Sequence, residues 1–341
     1  MGVFGIVCEY NPLHNGHARM LRQLREQGAE AVVCAMSGNF VQRGEAAVAG
    51  KLARAEMALR CGADLVLEIP TPWAAATAET FARGGVEILR RTGVVTDLAF
   101  GAECADVEAL RAVAEVLDGE AYRAALRSIP EDGASFAAHR QSAVAAVLDP
   151  RRAALLSRPN NILAVEYLRA IRGTDIRPAA IPRQGAEHDS HTVDGGIASA
   201  SHVRQLLLSG RTEEAMTCLP REAAEVLRRE MERGHAPADM RRCDRAILAR
   251  LRRMEEEEWA RYDGGGEGLY HRLYQAVREA GSVEELLERA KTKRYPMARL
   301  RRMVLVLVLA LVLVLVPALV LVLVLALVLV PARRRTAPAT L

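Results

Sequence analysis

Short apolar runs alternate with amphipathic stretches through the first third of the chain. Residues 2–8 (GVFGIVC) have the length and apolar character of a buried strand, and Met20, Leu21 and Leu24 then recur at helical spacing within residues 18–27. Short buried strands separated by helices predict a parallel sheet with crossover helices. Further strands are predicted at 29–35, 63–69, 94–100 and 178–183, and further helices at 51–61, 77–91, 158–172 and 202–208.

The rest of the chain has a different pattern. Residues 106–147 read as helical, and beyond Gly210 helical segments rich in Arg and Glu extend to Arg302. We therefore predict an α/β fold followed by a mostly helical domain. The expected parts are residues 1–208, 209–302 and 303–341.

The last part is a low-complexity apolar tail. Residues 304–330 are almost entirely Leu, Val and Ala, interrupted at Pro317 and flanked by arginines. Length and apolarity alone would suit a membrane anchor. The strict Leu–Val alternation instead favours a repeat expansion or a frame error, because an evolved helix face is not so regular. We expect no membrane contact unless this tract is a real anchor.

Composition indicates a folded protein in a reducing compartment. Charged residues make up 26% and hydrophobic residues 50% of the 341 positions, and the net charge of +4 is too small to indicate nucleic acid by itself. Six cysteines occur without CxxC pairs, which argues against a disulfide framework or a zinc site. Met1 leads directly into the first strand, so no signal peptide is expected and we predict a cytoplasmic location.

The strongest chemical signal is His14-Asn15-Gly16-His17, where the first strand gives way to a helix. The N–H groups and positive dipole end of a helix start attract anions. Two imidazoles three residues apart can both point at one phosphate, and Gly16 lets backbone approach it. A surface helix start with chance histidines and a metal pair are the alternatives.

Other polar residues also follow strand ends, where parallel sheets bind ligands. Residues 37–45 form a polar loop that could cover a nucleotide, with Arg43 able to pair with phosphate or carboxylate, or could be a surface loop. Residues 101–103 follow the fourth strand. Lys51 and Arg54 share a helix face that could contact phosphate or simply be solvated.

A second helix start could also bind phosphate. Ser199, Ser201 and Arg204 offer hydroxyls and a guanidinium there. Asn160, Asn161 and Arg183 carry no decisive local signal. His188, Asp189 and His191 suggest a metal triad, but no further ligand lies at fitting spacing, so we predict no protein metal site.

A basic patch near the C-terminus is compatible with an RNA backbone, with Tyr295 available to stack on bases. Its cations are Lys291, Lys293, Arg294, Arg299, Arg301 and Arg302.

Several motifs together resemble the bacterial tRNA(Met) cytidine acetate ligases, members of the HxGH nucleotidylyltransferase superfamily. The segments GIVCEYNPLHNGH, MSGNFVQRGE, KLARAEMAL, GADLVLEIP, AFGAE, PNNILAVEYL and IASASHVR occur in one collinear order. HxGH specifies only the superfamily, and the MSGNFVQRGE loop points to this member. The resemblance covers about residues 1–302.

The resemblance implies a Rossmann-like nucleotidylyltransferase sheet in residues 1–208 and a tRNA-contacting helical domain in residues 209–302. It implies that ATP, accompanied by Mg²⁺, activates acetate as acetyl-adenylate with release of pyrophosphate. The acetyl group then passes to the exocyclic amine of the wobble cytidine of elongator tRNA(Met). A transferase that attaches a nucleotide to a phosphorylated small molecule remains the alternative, as does a non-catalytic RNA-binding protein.

The resemblance also implies site residues. His14 and His17 would be catalytic, Ser199 and Arg204 would bind phosphate, and Lys291, Lys293 and Arg294 would contact tRNA. IASASHVR departs from the superfamily signature ISSTxxR at Ala198, Ala200 and Ser201. The residues implied to bind ATP are Val7, Cys8, Glu9, Tyr10, Asn11, Pro12, Leu13, His14, Asn15, Gly16, His17, Ala18, Arg19, Met20, Gly101, Asn161 and Arg183.

Overall fold

The computed structural model describes residues 2–130, 135–183, 198–262 and 268–310. Its main feature is a five-stranded sheet of order β5-β2-β1-β6-β7, in which all neighbouring strands run parallel. These strands are β1 (Gly2–Cys8), β2 (Ala29–Ser37), β5 (Leu65–Ile69), β6 (Asp97–Ala102) and β7 (Arg177–Pro182). The predicted α/β class with a parallel sheet is confirmed.

A small antiparallel hairpin, β3 (Phe40–Val41) and β4 (Glu45–Ala46), occupies the segment predicted as a loop. Helices connect and follow the strands. They are α1 (Asn15–Glu26), α2 (Lys51–Arg60), α3 (Thr71–Ala74), α4 (Ala78–Arg91), α5 (Val107–Val116), α6 (Glu120–Ser128), α7 (Phe136–Val147), α8 (Pro150–Ala153), α9 (Pro159–Ala170), α10 (Ala200–Leu208), α11 (Thr212–Thr217), α12 (Arg221–Glu232), α13 (Asp244–Arg252), α14 (Glu256–Ala260), α15 (Leu269–Glu279) and α16 (Val283–Ala290). Residues 297–310 are also helical, and 3₁₀ turns lie at Ala154–Ser157 and Met240–Cys243.

The two faces of the sheet bury separate cores, because alternate strand residues point to opposite sides. On one face Ile6 and Cys34 pack with α1, α2, α10, α11 and α12. On the other face Val7 and Ala35 pack with α4, α5, α7 and α9. Because helices cover both faces of the sheet, β1 and β2 are almost continuously apolar.

A third core lies in the C-terminal helices. It is centred on buried Trp259 and includes residues of α13, α15, α16 and helix 297–310. Helices α11 and α12 instead belong to the first core. The predicted boundary at residue 208 stays a prediction, and this division of cores favours one near residue 240.

The beginning of the apolar tail contributes to that third core. Met303, Val304 and Leu307 are buried against α13–α16. Residues 311–341, with most of the Leu–Val tract, lie outside the described residues, as do His188, Asp189 and His191. Within the described ranges, none of the helices combines the length and apolarity needed to cross a bilayer.

Candidate active site

A cavity of about 400 Å³ opens beyond the carboxyl ends of β1, β6 and β7. Its volume falls in the range of small-molecule sites. Most of residues 7–20, the segment around His14 and His17, line this cavity. Of the residues implied to bind ATP, Pro12, Leu13, Asn15, Ala18 and Asn161 do not line it. The lining residues implied by the sequence resemblance are Val7, Cys8, Glu9, Tyr10, Asn11, His14, Gly16, His17, Arg19, Met20, Gly101 and Arg183.

His14 and His17 form the N-terminal cap of α1. The Gly16 N–H donates to His14 Nδ1 at 3.1 Å, and the His14 N–H donates to His17 Nδ1 at 3.3 Å. An imidazole nitrogen that accepts a hydrogen bond carries no proton, so each neutral ring has its proton on Nε2. The ring centroids are 3.7 Å apart, and the ring planes are inclined to each other by 30°. The cap therefore fixes two Nε2–H donors beside one another.

Both imidazoles are neutral at pH 7. Burial, reinforced by the positive charges of Arg183 and Arg204, lowers the pKa of His14 to about 3. Burial also holds the pKa of His17 well below its usual range, with His14 and Arg183 adding to the effect. Neutral donors attract a phosphate less than imidazolium would, and the cations that line the cavity supply the positive charge.

Those cations are Arg19, Arg43 and Arg183. Arg183 follows β7, and its guanidinium donates to Asn160 Oδ1 at 3.3 Å. Asn160 itself lines the cavity at the start of α9. Its neighbour Asn161 instead accepts from the Cys104 N–H at 2.9 Å and holds the turn after β6.

The backbone between β1 and α1 is strained where the two elements meet. Tyr10 has φ of 43°, a left-handed conformation that costs a residue other than glycine about 1 kcal/mol or more. Its buried ring meets His17 edge-on, with centroids 5.0 Å apart. The strained residue lines the cavity, and such strain is typical of functional sites.

Arg54 holds this junction together. The side chain is fully buried on α2 and donates to four backbone carbonyls, those of Ala49, Ser37, Gly38 and Glu9. The interpretation of Lys51 and Arg54 as a phosphate-contacting or solvated face is wrong for Arg54, since its donors are occupied inside the protein. Lys51 pairs with Glu68 at 2.6 Å, near the surface.

Apolar and aromatic residues distant in sequence complete the cavity. Phe100 lies on β6, and its ring centroid is 5.8 Å from that of Tyr167 on α9. Such walls suit the faces of a nucleobase. Sequence reasoning missed these residues, whose only signal was helical or strand periodicity. They are Phe81, Phe100, Ile162, Leu163 and Tyr167.

The second predicted phosphate site lies near the cavity but contributes little to its lining. Ser199 caps α10 by accepting from the His202 N–H at 3.1 Å. Arg204 donates to the Asn11 carbonyl at 2.9 Å. Ala200, the first residue of α10, lines the cavity, whereas Ser199 and Arg204 do not.

Fewer residues of the basic patch near the C-terminus are available to RNA than the sequence suggested. Tyr295 is buried between Arg294 and Arg299, so the expectation that it stacks on bases is wrong. Arg301 pairs with Glu45, and Arg302 donates to the Gln42 carbonyl at 3.2 Å. Both arginines therefore tie helix 297–310 to the β3–β4 hairpin. Lys291, Lys293 and Arg294 are exposed.

Comparison with known proteins gives consistent results. Residues 1–316 match the family described as HIGH Nucleotidyl Transferase. The chain is 40% identical to the tRNA(Met) cytidine acetate ligase of Syntrophomonas wolfei, over 89% of this chain and 75% of that protein. It is 38% identical to the enzyme of the same name from Fervidobacterium nodosum, over 89% and 72%.

Two solved structures of Thermotoga maritima TmcAL have the same fold. The apo form superposes with a TM-score of 0.86 at 38% identity, covering 90% of this chain and 75% of that one. The form bound with alpha-thio ATP gives 0.85 at 37% identity, covering 91% and 75%.

Proposed function

This chain belongs to the tRNA(Met) cytidine acetate ligase family of HIGH nucleotidyl transferases, and from that premise we propose the reaction that its cavity performs. The enzyme activates acetate with ATP, forming acetyl-adenylate and pyrophosphate. It then transfers the acetyl group to the exocyclic amine of the wobble cytidine in elongator tRNA(Met). The observation that carries this proposal is the pair of Nε2–H donors fixed in a cation-lined cavity at the sheet's carboxyl edge.

The first step needs positioning and charge stabilisation. An acetate oxygen attacks the α-phosphorus in line, and the bond to the β-phosphate oxygen breaks. Negative charge that builds on the phosphoryl oxygens is stabilised by the Nε2–H groups of His14 and His17 and by nearby guanidinium groups. No side chain has to act as a nucleophile, so rigid donors are sufficient.

The adenosine would lie against the apolar walls of the cavity, with Phe100 and Tyr167 facing the base. The outer phosphates would extend towards the start of α10, where Ala200 lines the cavity and Ser199 and Arg204 lie close behind it. A helix start supplies N–H donors for anions. The implied ATP ligands Gly101 and Arg183 lie at the ends of β6 and β7.

We propose that Mg²⁺ enters as a complex with the nucleotide. Among the described residues, no group of three His, Cys, Asp or Glu side chains could hold a metal ion. Glu9 is the cavity's one carboxylate among those residues, too few for a dedicated magnesium cage. The triphosphate and water would therefore supply most ligands. A tRNA substrate and ATP also fit the cytoplasm as the compartment.

The anticodon arm would be held by the C-terminal helices. Lys291, Lys293 and Arg294 are exposed beside the third core, and helix 297–310 joins that core to the hairpin at the cavity. Phosphate neutralisation by such cations gives affinity without reading sequence.

The decisive experiment is incubation of the protein with ATP, labelled acetate and total tRNA, followed by nucleoside analysis. We expect the label in N4-acetylcytidine, with stoichiometric AMP and pyrophosphate. Label-free tRNA together with nucleotide transfer to a phosphorylated small molecule would overturn the proposal in favour of the other transferase class.

A further inference from the structure

In the part of the chain that the structure describes, one carboxylate lies in a cavity otherwise lined by cations and neutral groups. Among the described lining residues, Glu9 is the sole acidic side chain, against Arg19, Arg43 and Arg183. It directly follows β1, five residues before His14. ATP, acetate and pyrophosphate are all anions, so a carboxylate opposes their binding unless it faces a hydrogen-bond donor.

The Glu9 side chain is held in place but not fully satisfied. Its Oε1 accepts from the Gln42 N–H at 2.7 Å, and its backbone carbonyl accepts from Arg54. No described residue donates to Oε2, and the side chain is half-buried at the cavity wall. One carboxylate oxygen is therefore anchored to the hairpin, while the second can meet a substrate.

The environment of the Glu9 carboxylate favours its uptake of a proton. Burial raises the pKa of Glu9, opposed by the Gln42 N–H and by the charges of Arg204, Arg43 and Arg54. Tyr167 of α9 is also close enough to interact with its charge. A carboxylate with a raised pKa is a better base than an exposed one.

Among the described residues, the other titratable groups that line the cavity are unsuited to accept a proton. The Nδ1 atoms of His14 and His17 are occupied by backbone N–H donors, and their Nε2 atoms carry protons. Burial raises the pKa of the Cys8 thiol and of the Tyr10 hydroxyl, so both stay protonated at pH 7.

We propose that Glu9 accepts the proton released by the cytidine amine during acetyl transfer, an inference that rests on the proposed function. The amine nitrogen attacks the acetyl carbon of acetyl-adenylate and forms the amide bond. The bond from that carbon to the bridging oxygen breaks, and its electron pair leaves with AMP. An amine proton passes to Glu9 Oε2 and then to water when the products leave.

The test compares Glu9→Gln with the wild type in each half-reaction. The amide oxygen of glutamine still accepts from the Gln42 N–H, so the hairpin stays anchored, but the side chain no longer takes a proton. We expect acetate-dependent ATP–pyrophosphate exchange to fall much less than transfer, because the proposed proton acceptor acts only in the second step. Single-turnover transfer from acetyl-adenylate to tRNA should fall by about 100-fold or more.

A pH profile separates proton transfer from a structural role. Wild-type transfer should rise with pH as Glu9 ionises, and Glu9→Gln should lose this rise. Glu9→Asp should keep the rise at a reduced rate, and it carries the test if the glutamine variant does not fold. Glu68→Gln, the same change at an exposed carboxylate, is the control and should leave both half-reactions intact.

Two results would overturn the inference. Transfer by Glu9→Gln within a few-fold of wild type would remove Glu9 as the acceptor. An equal loss of exchange and transfer would assign Glu9 to ATP or acetate binding. Failure of the wild-type protein to exchange pyrophosphate with acetate would instead contradict the proposed function.

Discussion

The two histidines have a structural role at the start of α1, and we propose that they also have a chemical one. Each Nδ1 accepts a backbone N–H at the start of α1, which leaves each Nε2–H available as a donor, and both residues line the cavity. Because the cap is local, the sequence predicted the position of both residues. Their neutral state was not predictable, since it results from burial in the tertiary structure and from the charges of Arg183 and Arg204, far along the chain.

Other site residues were hidden from sequence reasoning for the same reason. Arg54 looked like part of a helix surface, but it is buried because four carbonyls from three segments converge on it. Phe81 and Tyr167 have ordinary core spacing, and only the crossover topology brings them to β1. The burial of a side chain and the meeting of distant segments are properties of the tertiary structure, so they leave no local sequence motif.

The neutral state of His14 predicts a pH-dependent stability. The unfolded side chain takes up a proton below pH about 6.5, whereas the folded one stays neutral down to about pH 3. Lowering the pH therefore favours the unfolded state, by about 1 kcal/mol between pH 7.5 and pH 5.5. His14→Asn keeps an N-cap acceptor without this titration.

Urea unfolding at the two pH values checks the prediction. The wild type should lose about 1 kcal/mol more than His14→Asn on acidification. Equal losses would mean that His14 titrates normally in the folded protein.

Among the elements, the long ones were predictable and the short ones were not. The strands at residues 2–8, 29–35 and 63–69 appear within a few positions of β1, β2 and β5. The β3–β4 hairpin was missed, because strands of two residues are too short to show alternation. Its turn is held instead by Arg301 and Arg302, more than 250 residues away, which contact Glu45 and the Gln42 carbonyl.

Helix α4 shows how closely an element packs beneath the site. It contains consecutive glycines, which normally weaken a helix by about 1 kcal/mol each. A Cβ at Gly85 would lie 2.5 Å from Val7 Cγ1, so the glycine lets α4 approach β1. The close approach outweighs the cost in helix propensity.

Gly85→Ala should therefore destabilise the fold by about 1–3 kcal/mol, although alanine is the better helix former. Gly50→Ala is the matched control, because no atom lies within 4 Å of the added Cβ. Urea denaturation of both variants provides the measurement. A Gly85→Ala variant as stable as wild type would show that α4 shifts without cost.

At the scale of the whole molecule, the three cores divide the described residues into two regions. The sheet and its two cores hold the cavity, and the third core presents exposed cations. The sequence indicated both regions. It could not show that Arg301 and Arg302 join them, because arginines in a basic run look alike until their partners are known.

This arrangement makes a prediction for RNA binding. Replacing Lys293 and Arg294 together with Ala should weaken tRNA binding and make its salt dependence shallower, since about two phosphate contacts are lost. The control removes two cations on α4, with Arg90→Ala and Arg91→Ala. Binding titrations at several salt concentrations measure the slope, and an unchanged slope would exclude the patch from the tRNA interface.

Acetate-dependent ATP–pyrophosphate exchange tests the central claim most directly, because it isolates the step that we assign to the paired imidazoles. The wild-type protein should exchange label only when acetate is present. His17→Ala should reduce the rate by about 100-fold or more, while His139→Ala on α7 should leave it unchanged. Exchange at the wild-type rate in the His17 variant would contradict the account.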